Sequence, residues 1–471
     1  MKIGVSGVSI AIVNCTIVVV ALVATTRMRL GRLVSPISVT LLLLGSIFGV
    51  RPLLMLSGGQ FQFYGSDVES GVSVALLVGL LAITGTLFGY WLGRVGLEAS
   101  HALLKPSQEQ PPRYSFGVGV GAALGVLALW LVAMLVVGSG PAFIATLFEG
   151  RSDAVGAQLA GVPAIIPALP VASALLIALV RIRAEVIQRL SVRQNLEYWG
   201  IIALSVIPPA ALGTRRFLIP SLIAGVIGFA ATRWLRRVSM RFIGVAIVGF
   251  LALAVMPFVR SAGSRTGSTD LLGAMADYFA AEGAQGVLES YFLSYDTEMF
   301  SYIAYVAPRL GETVPYGLGR GTFGDMLLAP LPYTLAPYET WANYVLEQLY
   351  GGTCATLYCP VPSLPGMLFF DWDVLGVFVG MILVGFAMAR FEPAFLRFGP
   401  HTALLLTAAA FTAQVIRGNP IAQAWIGLQV FVVVIAIEWL MRFCTRTSGP
   451  PVSAVSRRRH GLWRGASSIR S

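Results

Sequence analysis

Eleven stretches of this chain, at about 4–25, 37–57, 71–93, 114–138, 162–180, 197–213, 217–232, 242–258, 364–389, 400–416 and 420–441, are apolar runs near membrane-spanning length. A spanning helix takes roughly 20 apolar residues. Lipid offers no partner to a peptide N–H or C=O, so each run must satisfy its backbone internally as a helix. With 56% hydrophobic and only 12% charged residues, and a mean hydropathy of +0.78, the chain carries too little polar surface for a soluble protein of 471 residues. The expected fold is therefore all-α, a polytopic bundle of about 11 transmembrane helices. The first run is longer than a secretory h-region and is followed by Arg27, Arg29 and Arg32, so it reads as a retained helix.

Charge assigns the sides. Alternate connections, near 27–32, 94–113, 181–193, 233–241 and 390–397, together with the tail from Arg442, hold 23 of the 33 Lys and Arg residues. The positive-inside rule makes these cytoplasmic, leaving the N-terminus outside and the C-terminus inside. The basic run Arg457-Arg458-Arg459 then reads as a juxtamembrane anchor, with no nucleic acid implied. The chain divides into helices 1–8 (1–258), an extracytoplasmic cap between helices 8 and 9 (259–363), helices 9–11 (364–441) and a basic tail (442–471).

The cap is the one long polar interval, with four arginines against ten acids. Leu271, Leu272, Met275, Tyr278 and Phe279, then Val287, Leu288, Tyr291 and Phe292, then Met299, Phe300 and Ile303 recur at helical spacing. They predict amphipathic helices lying on the outer membrane surface or on the bundle. A Gly-rich turn follows at Tyr316-Gly317-Leu318-Gly319-Arg320-Gly321, then a short helix from about Glu339 to Tyr350. Cys354 and Cys359 stand close together where a disulfide is permitted, whereas a zinc half-site lacks any loop histidine.

Ten basic residues remain outside the cytoplasmic set, and several sit at outer helix ends: Arg51 before Pro52, Arg215 and Arg216 in a tight turn, Arg260 opening the cap, and Arg417 in Arg417-Gly418-Asn419-Pro420. Any one of them reads equally well as a snorkelling anchor. Together, against the positive-inside bias, they form one cationic layer. Guanidinium grips phosphate oxygens in a planar fork, so such a layer suits a lipid-linked diphosphate. Arg320 rides the Gly-rich turn. Tyr316 and Trp341 are among the aromatics that could stack on sugar. Asp371 and Asp373, near the outer end of the ninth helix, are candidate proton acceptors or arginine partners.

Gly-Thr-Arg-Arg-Phe-Leu-Ile-Pro (213–220), the late outer loop, Pro-Ser-Leu-Pro-Gly-Met-Leu-Phe-Phe-Asp-Trp-Asp (362–373) and the final Arg-Gly turn together resemble the bacterial oligosaccharide repeat-unit polymerases of the Wzy-type O-antigen polymerase family, over about 200–420. The resemblance implies glycosyl transfer on the outer face of the bacterial cytoplasmic membrane. A glycan on a polyprenyl diphosphate passes to a hydroxyl of an incoming lipid-linked repeat unit, with neither nucleotide sugar nor metal cofactor required. It gives Arg215, Arg216 and Arg417 a catalytic role at the leaving diphosphate, with Asp371 as candidate base. Arg51, Arg260, Arg320, Asp373 and Tyr316 would bind substrate. Membrane lipids, a chain-length regulator and a flippase are the implied partners. Three alternatives stay open: an O-antigen ligase, a polyprenyl-phosphate-sugar glycosyltransferase using Asp67 and Glu69, and a lipid-linked oligosaccharide flippase.

Overall fold

A computed structural model describes residues 5–28, 35–59, 61–100, 115–137, 163, 165–187, 190–211, 215–230, 280, 283, 286, 289, 292–293, 297–328, 340–351, 361–395 and 402–447. The chain is mostly helical. Its long elements are α1 (Val5–Met28), α2 (Pro36–Gly58), α3 (Val72–Ser100), α4 (Phe116–Val137), α5 (Ile165–Ile187), α6 (Val192–Ala211) and α7 (Arg215–Ala230). Within the interval expected to form the cap lie α8 (Met299–Val306) and α9 (Trp341–Tyr350), followed by α10 (Ser363–Phe395), α11 (Thr402–Arg417) and α12 (Pro420–Thr447). Seven helices among the described residues are long and apolar enough to cross a membrane, namely α1–α5, α10 and α12, while α7 and α11 are shorter apolar helices. The expected eighth run, 242–258, lies outside the described residues, as do Arg260, Cys354 and Cys359.

Two cores are packed side by side. One joins α1, α2, α3, the cap helices and α10. The other joins α4–α7, α11 and α12. Contacts of α11 with both α2 and α10 link them.

The tightest pair is α3 with α10. Gly85, Gly89 and Gly93 on α3 face Phe378, Ile382 and Phe386 on α10, and Gly385 faces Thr86. Both sets of numbers rise together, so α3 and this stretch of α10 run parallel. Small residues four apart let the backbones meet, which is how helices associate where lipid removes the hydrophobic drive.

In α2 the backbone widens into a π turn at Ser46–Val50, directly before Arg51-Pro52. Pro52 has no N–H for the Phe48 carbonyl and its ring crowds that turn. The buried amide of Asn14 on α1 donates to the same Phe48 oxygen at 3.0 Å, and to Leu76 O on α3 at 3.4 Å.

The run at 364–389 proves to be two arms. At Asp373 the backbone turns to φ 59°, ψ −165°, so a first arm ends at Trp372 and the long arm starts at Val374. The first arm doubles back on the second: a side chain at Gly376 would collide with Trp372, and one at Gly380 would lie 2.6 Å from Leu368.

The arginines at 181–193 were expected in a cytoplasmic connection, but two of them are interior ties. Arg181 is fully buried between the rings of Tyr198 and Phe229, 4.4 and 5.0 Å away, and bonds Glu185 at 2.7 Å. Arg183 pairs with Glu438 of α12, which also takes Arg442. Burial forces such charges to find partners: Arg181 finds its own on the same helix, whereas Arg183's lies on a helix distant in sequence.

Candidate functional site

Helix connectivity gathers the candidate residues at one end of the bundle. The start of α3 and the start of the long arm of α10 share that end. α11 begins shortly after α10 stops, so its last residue, Arg417, returns there. α12 then leaves from the same place, with Gly427 packed on Phe411 of α11. Near the opposite end of α12, Glu438 meets Arg183, and the Arg181 guanidinium lies over Tyr198, which packs on Gly228 late in α7. The start of α7, at Arg215, therefore also lies at the Arg417 end. α2 runs antiparallel to α3, its Phe48 against Gly79, so Arg51 joins the others.

Around Arg51 the cap closes over a polar cluster. A two-residue hairpin turn, Tyr64-Gly65 with φ 47° and 77°, joins strands Gln62–Phe63 and Ser66–Asp67. This is the backbone that matches strand twist. It lays Phe63 on Tyr302 of α8, ring centroids 5.7 Å apart. All eight residues of α8 are buried, so this helix is wedged into the protein rather than lying on a surface with one apolar face. Gly71 abuts Ala304 so closely that any side chain there would strike the backbone.

Burying α8 also buries its flanks. Arg51 is 6% exposed, and its Nε donates to Ser301 Oγ at 3.2 Å. Its Nη1 donates to Thr297 Oγ1 at 2.9 Å and to the Phe292 carbonyl at 3.3 Å. Beside it Glu298, 4% exposed, accepts from the Tyr64 hydroxyl at 3.2 Å. Burial raises the Glu298 carboxyl from 4.5 to about 8, the Tyr64 bond and Arg51 opposing. Arg51, Met55, Gly59, Phe61, Gln62 and Leu293 wall a cavity of about 360 Å³ next to this cluster.

The Glu298 shift sets a pH dependence. A carboxyl whose folded pKa lies above its unfolded value binds its proton more tightly when folded, so it stabilises fully below about pH 4.5 and less as pH rises to about 8. The Asp325 carboxyl, raised by burial to about 6, adds a similar fall at lower pH. Between pH 6 and 8, stability is expected to fall by up to about 1.4 kcal/mol per pH unit through Glu298. Thermal melts of Glu298→Gln across that range should show the slope removed. A mutant retaining the wild-type slope would assign it elsewhere.

The second part of the site is the Gly-rich turn. Gly317 N donates to Phe370 O at 3.0 Å and Leu318 N to Asp371 O at 3.1 Å, so the turn takes up carbonyls left open where the first arm of α10 ends. The Asp371 carboxylate accepts from Gly321 N at 3.1 Å and Thr322 N at 2.7 Å. Gly317 and Gly321 lie too close to Asp371, Trp341 and Met367 for side chains, and Gly319 adopts φ 92°.

With both oxygens engaged and no exposed surface, Asp371 is an anchor for this turn and is not placed to meet an acceptor hydroxyl. Trp341, at 2% exposure, is likewise interior and cannot stack on a sugar. The exposed Arg320 guanidinium instead lies 5.5 and 5.2 Å from the Trp341 and Tyr344 rings. Tyr316 hydrogen-bonds the Asp373 carboxylate, and burial followed by that negative neighbour raises the Tyr316 hydroxyl.

Arg216 is exposed at the start of α7, 4.8 Å from the ring of Phe217. Arg417 closes α11 half-buried, and Asn419 Oδ1 then caps α12 by accepting from Ile421 N and Ala422 N. Asp67 Oδ1 accepts from Glu69 N at 2.9 Å, a local turn bond on the exposed hairpin. Among the described residues no group of three His, Cys, Asp or Glu side chains is placed to hold a metal.

Sequence reasoning missed Glu298, Tyr64, Thr297 and Ser301. The available signal was the α8 sequence itself, Met-Phe-Ser-Tyr-Ile-Ala-Tyr-Val without a charged residue, which fits a buried helix and hence buried flanks. Comparison with protein-family models, characterised proteins and solved structures finds no match for this chain. The class its fold defines is a mostly helical bundle in which seven of the described helices are long and apolar enough to cross a membrane.

Proposed function

We propose that this protein is a membrane glycosyltransferase that polymerises polyprenyl-diphosphate-linked oligosaccharide repeat units on the outer face of the bacterial cytoplasmic membrane. The observation that carries the reading is the convergence of Arg51, Arg215, Arg216, Arg320 and Arg417 on the capped end. Two of these open α7, where the helix already presents its positive pole. Cations there work against the helix, so the arrangement is understood as a receptor for an anion.

In the proposed reaction the bond between the donor sugar's anomeric carbon and the diphosphate oxygen breaks. The acceptor hydroxyl oxygen forms the new bond to that carbon, and polyprenyl diphosphate departs with the electron pair. Arg215, Arg216 and Arg417 neutralise the leaving group, which is electrostatic stabilisation where charge develops. Arg51 and Arg320 flank the glycan path. The acceptor proton passes to a carboxylate, and Glu298 is the candidate because its pKa of about 8 lies near neutrality and its neighbour Arg51 lines the cavity. Asp371 and the Tyr316–Asp373 pair position the Arg320 turn.

Purified protein in liposomes, given lipid-linked repeat units, is expected to yield a ladder of glycan lengths with or without chelator. Arg216→Ala, whose side chain is exposed and should not disturb folding, is expected to lose about 10²–10³-fold in rate, the scale for removing one stabilising donor. Transfer of single sugars, transfer of finished glycan to another lipid, or passage of intact lipid-linked units across the bilayer would each replace the polymerase reading.

A further inference from the structure

The Gly-rich turn continues through Arg320–Gly324 into a single helical turn, Asp325–Leu328, and its outward side is unexpectedly apolar. Leu318, Phe323, Met326 and Leu327 are 73, 65, 56 and 77% exposed. In an extracytoplasmic cap facing water these would be the wrong residues to display together. Their inward neighbours explain the segment's fixed pose: Asp371 holds Gly321 and Thr322, and Asp325 Oδ2 accepts from Trp341 N at 3.0 Å. The four side chains are thus presented by a braced frame.

What they adjoin identifies their surroundings. Gly319 and Phe323 pack about Trp372, whose ring is 42% exposed. From Trp372 an exposed stripe runs down α10 through Leu375, Val379, Leu383 and Phe386 to Arg390, whose guanidinium lies 5.0 Å from the Phe386 ring. A tryptophan at one end, aliphatic residues between and a snorkelling arginine at the other is the pattern of a lipid-facing helix surface. The cap patch prolongs that stripe sideways at the tryptophan level. We infer that residues 318–327 form a foot of the cap seated in the outer leaflet, its four apolar side chains among lipid acyl chains. Arg320 is then held at headgroup height. The inference is independent of the reaction proposed above.

A dansyl-bearing residue incorporated in place of Leu327 or Phe323 in the full-length protein, reconstituted in liposomes, tests it. Lipids brominated on their acyl chains are expected to quench both positions as strongly as a dansyl at position 375 on α10, while aqueous iodide leaves them bright. Quenching by iodide, as at exposed Glu312 in the cap, would overturn the inference by placing the patch in water. Quenching by neither would overturn it equally, since the patch would then be covered by a second copy or another protein.

Discussion

Arg51→Ala is expected to lower stability by about 3–5 kcal/mol, the range for removing one partner from a buried charged cluster. The loss is large because the guanidinium serves several groups at once. Its removal deprives Thr297, Ser301 and the Phe292 carbonyl of a donor and takes a positive neighbour from Glu298, all inside the protein. Those groups belong to the cap, whereas Arg51 belongs to α2, so the variant should loosen the cap from the bundle. Arg51→Lys keeps the charge but not the planar fork, and should fall between wild type and alanine. Thermal melts in detergent, followed by limited proteolysis of the cap, would check the order. An alanine variant melting with wild type would show that the cap is held by apolar packing of α8 alone. A lysine variant that folds but forms no glycan would instead assign Arg51 to substrate.

That cluster shows where sequence reading stops. Apolar run length was readable because lipid leaves the backbone no alternative to the helix, and α1–α7, α11 and α12 begin close to the expected positions, whereas the run at 364–389 is broken at Asp373. Arg51 was legible as an anomaly, a charge near an apolar segment. Its partners were not, since Thr297, Glu298 and Ser301 lie some 250 residues away and no local spacing links them. The same holds for Arg183 with Glu438. The break at Asp373 had a local signal of a less obvious kind. Neither proline nor glycine sits at the bend, but Gly376 and Gly380 clear the surface onto which the first arm folds. Asp371 looked like a reactive carboxyl because of its position; its role as an anchor depends on two backbone N–H groups 50 residues earlier.

The glycine stripe on α3 carries the second large effect. A side chain at Gly89 would run into the Ile382 carbonyl oxygen, and one at Gly385 into that of Thr86. Backbone atoms cannot turn aside as a flexible side chain can, so the helices must part. Gly89→Ala is expected to cost about 1–3 kcal/mol as overpacking, and Gly89→Leu more. The control is built into α4, where Gly121 and Gly125 have open space and alanine should be tolerated or gain up to about 1 kcal/mol from helix propensity. Equal melting of Gly89→Ala and Gly121→Ala would refute the close pairing. The consequence for activity follows from where α10 leads. Its parallel register with α3 fixes the height of Trp372 and Asp373, and through Asp371 the pose of the turn bearing Arg320. Gly89 lies well down the shared interface from that end, yet under the proposed function its leucine variant should lose polymer formation along with stability. Arg216→Ala, by contrast, should lose polymer formation while melting like wild type. The pair of variants therefore separates residues that contact the substrate from those that hold the frame.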